Sequence, residues 1–160
     1  MNKKQIILFI ICICLLGIGQ LANILDKQYG ETIPKIVYQQ NHDFNKQIFN
    51  DNIKNKHISI YASYPNDIDK YILVEPTLNF IEQAIVKNWK PYLKKDNEVV
   101  IALRININGS LMYNFLGNTG IYTAADAARK AVLSPKLIGD DIVQNADYLI
   151  LVYKFTVSEK

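Results

Sequence analysis

Apolar and polar residues recur with a helical period around the middle of the chain. Four apolar residues share this spacing: Leu78, Ile81, Ile85 and Trp89. Pro76 suits the first turn of a helix, where its missing N–H has no partner to lose. Pro91 ends the pattern, because the residue before a proline avoids helical backbone angles. The spacing predicts an amphipathic helix from Pro76 to about Lys90, with the sole tryptophan, Trp89, packed under a sheet.

A period of two follows and predicts a hairpin. Apolar and polar side chains alternate through residues 99–105 and again through residues 111–115. A two-residue loop between these strands would pair Leu103 with Asn114 and put an amide on the apolar face. A three-residue loop pairs Leu103 with Tyr113 instead and gives one clean apolar face. We therefore predict the longer loop, with Gly109 in the left-handed position of a bulged turn, where glycine costs least.

The last third of the chain predicts a helix and a strand. Gly120 interrupts the hairpin, and Thr123 to Asp126 predicts a capping box at the start of an alanine-rich helix. A long alternating run at residues 148–157 predicts a final strand. The order helix, hairpin, helix, strand predicts an α+β domain over residues 75–160. Its core is a small three-stranded antiparallel sheet with two helices on one face.

The region before this domain is less regular. Phe44, Ile48 and Phe49 fall on nearly one side of a helix, and residues 57–61 alternate like a short strand. The composition is neither that of a Gly/Ser linker nor that of a Pro-rich spacer. We interpret residues 26–74 as a partly ordered tether.

The N-terminus predicts export. Lys3 and Lys4 precede a charge-free stretch at residues 5–25, long enough to span a hydrocarbon core of about 30 Å. The lysines place its start in the cytoplasm. Residues 1–25 are either an uncleaved membrane anchor or a signal segment cleaved near Gly17 or Gly19. In both cases the remainder of the chain is exported.

Composition and charge give little indication of catalytic chemistry. The 160 residues carry a net charge of +3, and without Lys3 and Lys4 the charges nearly balance, which disfavours a nucleic-acid surface. Both cysteines lie inside the charge-free stretch, and two histidines are too few for a metal set. Nucleotide loops and nucleophile motifs are absent from the sequence. We predict no catalytic residue, no metal and no cofactor.

Several short patterns in the C-terminal half occur together in a specific order. They are the helix end at residues 81–91, the strand and Asn-Gly turn at residues 99–109, Thr119-Gly120, the alanines Ala127, Ala128 and Ala131, and Ser134-Pro135. In this order they resemble the TonB/TolA C-terminal domain family, and its TolA-like branch most closely. The family often has Phe-Asp where this chain has Ala124-Ala125, so one core contact and one polar contact of its pattern are missing.

The resemblance implies a protein-binding module, not an enzyme. Such a domain projects from a single-pass inner-membrane anchor into the periplasm. It couples a proton-driven inner-membrane complex to periplasmic or outer-membrane proteins. Strand addition to an exposed sheet edge is a physical route to binding.

The expected edge is the terminal strand, although this strand alternatively only completes the sheet. The candidate partner-binding residues are Tyr148, Ile150, Val152, Tyr153, Lys154 and Phe155. Gln20 and Asn23 lie three residues apart, on one face of the anchor helix, and are candidates for coupling to membrane partners. They alternatively mark the outer end of that helix. Two other functions stay open: a structural cell-envelope protein without energy transduction, and a secreted domain after signal cleavage.

Overall fold

A computed structural model describes residues 42–71, 75–139 and 142–160 of the chain. Five strands, two α-helices and one short 3-10 helix follow one another along these residues. In chain order they are β1 (Lys46–Ile53), β2 (Lys56–Ser63), the 3-10 helix (Ile68–Lys70), α1 (Glu75–Asn88), β3 (Asn97–Asn106), β4 (Leu111–Asn118), α2 (Tyr122–Val132) and β5 (Tyr148–Glu159).

The sheet has five antiparallel strands in the spatial order β1-β2-β5-β3-β4. The fold is α+β, but the predicted three-stranded sheet is wrong. The two additional strands, β1 and β2, come from the segment interpreted as a tether. β2 pairs with β5 over eight positions, from Lys56 opposite Glu159 to Ser63 opposite Val152. This hairpin is therefore an integral part of the sheet.

β1 is a strand where the apolar spacing predicted a helix. Its register slips between Gln47 and Phe49, so Ile48 is an extra residue in a β-bulge. The bulge breaks the alternation, and both Ile48 and Phe49 pack against the core. The Phe49 ring contacts Trp89 edge-on, with centroids 6.2 Å apart. Pairing with β2 and this contact override the low strand propensity of the Asn and Asp residues in β1.

The β1–β2 turn has an unfavourable sequence for its backbone. Lys54 and Asn55 form a two-residue loop with φ values of 50° and 63°. Positive φ at both central residues defines a type I′ turn, which prefers Asn-Gly. A side chain such as that of Lys54 costs about 1 kcal/mol in this region. The hairpin therefore closes through a strained turn.

The β3–β4 hairpin confirms the three-residue loop. Ile105 pairs with Leu111 and Leu103 pairs with Tyr113, as parity predicted. Gly109 has a φ of 76°, in the left-handed region. A Cβ at this position would lie 3.0 Å from the carbonyl oxygen of Leu137, so the turn also needs glycine for space.

The helices occupy nearly the predicted ranges, but the capping box is wrong. α2 begins at Tyr122, and Ile121 is its N-cap residue without a side-chain cap. Thr123 is inside the first turn. Asp126 forms ion pairs with Arg129 and Lys130, at 2.6 and 2.8 Å. The carboxylate therefore stabilises the helix surface and not its first N–H groups.

Both helices pack on the same face of the sheet. The largest fully buried side chains are Ile58, Ile60, Ile81, Ile85, Val99, Ile101, Leu103, Ile105, Leu151, Tyr153 and Phe155. Alanines at positions 124, 128 and 131 let α2 approach the sheet closely. The other face carries polar side chains such as Asn50, Ser59 and Thr156, as is usual for an antiparallel sheet that is covered on one side.

Within the described residues, every helix is too short or too polar to span a membrane. The predicted anchor at residues 1–25 lies outside them, as does the tether segment before residue 42. Gln20 and Asn23 lie there too.

Candidate protein-interaction edge

β5 lies in the middle of the sheet and not at its edge. Lys154 is opposite Tyr61 of β2 on one side and opposite Val100 of β3 on the other. Neighbouring strands therefore use the N–H and C=O groups of β5 on both sides. The prediction of β5 as an acceptor edge is wrong, because the β1–β2 hairpin occupies the side that the sequence left open.

The six predicted binding residues of β5 are divided between two surfaces. Tyr153 and Phe155 belong to the core, and Val152 is buried on the opposite face. Tyr148, Ile150 and Lys154 are partly exposed on that opposite, open face. The six predicted residues therefore lie along one strand but do not form one accessible patch.

Two of the partly exposed side chains contact other groups on the open face. The Arg104 guanidinium lies 4.0 Å from the centroid of the Tyr148 ring. The Lys154 ammonium lies between the rings of Phe44 and Tyr61, at 4.8 and 5.3 Å from their centroids. These cation–π contacts stabilise the open face without an edge function.

Trp89 and Gly120 have structural roles. The Trp89 ring is buried, with its centroid 5.3 Å from that of Phe155. Gly120 follows the end of β4, and a Cβ there would lie only 2.8 Å from that of Asn97. The chain thus turns from β4 into α2 at a point where space excludes a side chain.

The edges of the sheet are β1 and β4, and the β1 edge is protected. Lys46 at its start forms an ion pair of 2.7 Å with Glu82 of α1. Asp51 is opposite the buried Ile58, so a second charge lies on the helix-side face of this strand. Charges on the buried side and a bulge are devices that discourage pairing with another chain.

Glu82 also binds a tyrosine beneath β1. The Tyr64 hydroxyl donates a hydrogen bond to the Glu82 carboxylate, and the Lys46 ammonium lies 5.0 Å from the centre of the Tyr64 ring. Burial, with the adjacent Tyr153 and Glu82, raises the pKa of Tyr64. Burial likewise raises the pKa of Tyr153, so both phenols stay neutral. This cluster fixes the start of β1 to α1.

β4 is unlike β1 in composition. Its eight residues include five apolar side chains, and neither a charge nor a proline occurs among them. Seven of the eight positions are half-buried and one is exposed. Tyr113 and Phe115 stack edge-on with centroids 5.5 Å apart, and the Arg129 guanidinium lies 5.9 Å from the centre of the Tyr113 ring. A bulge opposite the step from Val100 to Ile101 is the one edge-protecting device within this strand.

The β4 backbone also presents hydrogen-bonding groups outward. The Asn106 N–H donates to the Ser110 carbonyl at 3.0 Å, which sets the phase of the β3–β4 ladder. Because alternate residues of an antiparallel strand bond to a given neighbour, Met112 and Asn114 bond to β3. Tyr113 and Phe115 then direct their N–H and C=O groups away from the sheet.

Exposed apolar side chains flank β4 at both ends. Ile107, in the turn before it, is 42% exposed, and Tyr122, at the start of α2, is 84% exposed. Sequence reasoning missed this edge because it assigned the edge to β5. The signal was present, since the correct β3–β4 register already left one side of β4 without a partner.

The described residues contain no group of His, Cys, Asp and Glu side chains suited to a metal ion. The open face has a shallow depression of about 600 Å³ beside Tyr61 and Lys154. A second depression of about 280 Å³ lies between Ile48 and Val86 of α1. Neither brings together a nucleophile with an acid or base in an enclosed space.

Comparison with family models, with curated proteins and with solved structures finds no match to this chain. The resemblance to the TonB/TolA C-terminal domain family therefore stays a prediction from the sequence patterns.

Proposed function

We propose that this chain is a membrane-anchored periplasmic protein-binding module of the TonB/TolA type, and that it captures an extended segment of its partner on β4. The observation that carries the proposal is the β4 edge, eight residues long and without charge or proline. Long uncharged edges are a hazard that monomeric proteins normally avoid. A strand that a partner covers in use is a physical reason to retain one.

Strand addition at β4 combines backbone and side-chain recognition. The outward N–H and C=O groups of Tyr113 and Phe115 pair with the incoming strand and supply affinity. Side chains of that strand alternate between the two faces of the sheet. One set meets the Tyr113–Phe115 pair, and the other passes beside Met112 and Asn114. The partner is thus an extended segment with apolar residues at alternate positions.

The N-terminal part of the proposal rests on the sequence. Lys3 and Lys4 followed by the charge-free residues 5–25 support an inner-membrane anchor. Gln20 and Asn23 would face a proton-driven membrane complex, whose work reaches the periplasmic or outer-membrane partner through the domain.

Photo-crosslinking in cells tests the β4 edge directly. A benzophenone amino acid replaces Asn114 on β4 or, as the matched control, Asn50 on β1. Both asparagines lie on the open face of an edge strand. We expect crosslinks to a periplasmic or outer-membrane protein from position 114 and not from position 50. Equal yields from both edges, or none from position 114 in folded protein, would contradict the proposal.

A proline substitution separates backbone capture from side-chain contact. Tyr113→Pro removes an outward N–H that no strand of residues 42–71, 75–139 or 142–160 uses, whereas Tyr113→Leu keeps it and removes the same ring. We expect partner capture to fall about fivefold more for the proline variant, since both variants lose the ring and the proline variant also loses one hydrogen bond of about 1 kcal/mol. Equal loss in both variants would assign recognition to the ring alone.

A further inference from the structure

β1 is the strand least integrated into the described fold. None of its eight residues is buried: five are exposed and three are half-buried. β2, in contrast, has four buried residues and lies between β1 and the central strand β5. The seven β1–β2 pairs thus attach an exposed strand to a buried acceptor.

The turn that returns β1 onto β2 is strained. Lys54 and Asn55 both hold positive φ, at 50° and 63°, in a loop whose favoured sequence is Asn-Gly. If these residues become extended, they leave the left-handed region, and β1 and β2 join into one long strand. Short hinge loops under strain favour the exchange of the element that they connect.

We infer that two copies of this chain exchange β1, so that β1 of each copy pairs with β2 of the other. Every β1–β2 pair of the closed chain is rebuilt between the copies, in the same register. The Lys46–Glu82 ion pair and the Phe49–Trp89 contact are rebuilt as well, because β1 brings Lys46 and Phe49 with it. The intramolecular turn is lost, and its strain is lost with it.

A second copy is the occupant that the observations favour. Ile58 and Ile60 of β2 are buried. Opposite them, β1 already supplies the complementary bulge at Ile48 and the aromatic contact of Phe49. An identical β1 from another copy therefore fits without new chemistry. The exchange leaves β4 uncovered, so it is independent of partner capture at that edge.

Mixed cysteine variants test the exchange in the full chain, in detergent, with Cys12 and Cys14 replaced by alanine. One variant carries Asn52→Cys on β1 and the other carries His57→Cys on β2. These residues are directly opposite each other in a pair that does not exchange backbone hydrogen bonds, where side chains lie closest. The two variants are unfolded together in urea, refolded at high concentration and oxidised. We expect a disulfide-linked heterodimer of the two variants, visible on a non-reducing gel.

Two controls make the outcome decisive. The double variant Asn52→Cys/His57→Cys at low concentration must close its disulfide within one chain, which shows that the geometry permits the bond. Asn50→Cys mixed with His57→Cys is two residues out of register and should give no link. The inference would be overturned if no heterodimer formed after co-refolding while the double variant closed its own disulfide. A dimer by light scattering without the link would assign association to another surface, such as β4.

The hinge supplies a second readout. Lys54→Asn/Asn55→Gly installs the favoured turn and relieves the strain of the closed hairpin. We expect the linked fraction to fall about tenfold, as the closed chain gains the energy that a left-handed side chain costs. An unchanged linked fraction in this variant would contradict the role of turn strain.

Discussion

The two edge strands of the sheet differ in how far their side chains discourage pairing with another chain. β1 carries its charges on the helix-side face, one of them paired with Glu82, and a phenylalanine that packs on Trp89. β4 has neither charge nor proline, and exposed Ile107 and Tyr122 lie at its two ends. Both strands contain a bulge, so backbone irregularity alone does not distinguish them. The difference teaches that edge protection is a property of side-chain placement, which here leaves one side of the sheet available for pairing.

Of the substitutions that separate the two sides of the sheet, removal of Trp89 should change the free energy of unfolding most. Trp89→Ala removes the contacts with Phe49 of β1 and Phe155 of β5 at once. We expect the free energy of unfolding to fall by about 3–5 kcal/mol, the range for a buried aromatic side chain truncated to alanine. Urea denaturation followed by circular dichroism measures it.

Phe49→Ala is the matched comparison, because it removes the β1 half of the same contact. Its half-buried ring should contribute less than Trp89, about 1–3 kcal/mol. Equal losses for the two variants would show that Trp89 stabilises β1 alone and contributes little to the central sheet.

The Glu82 cluster should have an intermediate effect confined to the β1 side. Glu82→Gln keeps the shape but removes the charge that pairs with Lys46 and accepts from Tyr64. Because Lys46 is nearly half exposed, solvent screens the pair, and we expect a loss of about 1–2 kcal/mol. Hydrogen exchange should quicken for β1 amides and stay unchanged for β4. Glu98→Gln on β3 is the control, and equal quickening at both edges would contradict a local role.

The smallest effect should come from pH. Hydrogen bonds from Lys130 and Arg129 lower the pKa of Asp126 on α2, and a hydrogen bond from Lys56 lowers the pKa of Asp96 beside β2. A carboxyl with a lowered folded pKa contributes stability above its unfolded value of about 3.9, and this is lost as pH falls through the folded value. The urea concentration at the unfolding midpoint should therefore decrease as the pH is lowered from about 6 to 2. Asp126→Asn and Asp96→Asn should each flatten that decline, and a steeper decline in either variant would contradict the ion pairs.

The β3–β4 hairpin was predictable because its information is local. Parity of apolar residues and a glycine suited to positive φ select one register without reference to the rest of the chain. Leu103 opposite Tyr113 follows from that rule alone. The α1 range was predictable for the same reason, since its apolar period and flanking prolines are contiguous.

β1 was not predictable because its strand state depends on distant partners. The bulge at Ile48 destroys the period of two, and the nearby Phe44 and Phe49 then imitate a helical face. Pairing with β2 decides the outcome, and nothing in the local sequence reports it. The predicted site was wrong for a linked reason. If the β1–β2 segment is interpreted as a tether, β5 has no neighbour on one side and becomes an edge.

The strained turn and the edge position of β1 also determine how the sheet responds to tension. A load transmitted from the preceding residues enters the sheet at Lys46, the end of β1 farthest from the Lys54–Asn55 turn. A pull directed across the strands opens the β1–β2 pairs one after another, from Lys46 toward the turn. Among the described strands, β1 pairs with β2 and not with β5, β3 or β4. Under the proposed function, such a pull would extend the β1–β2 hairpin before it reaches β4 and the core around it.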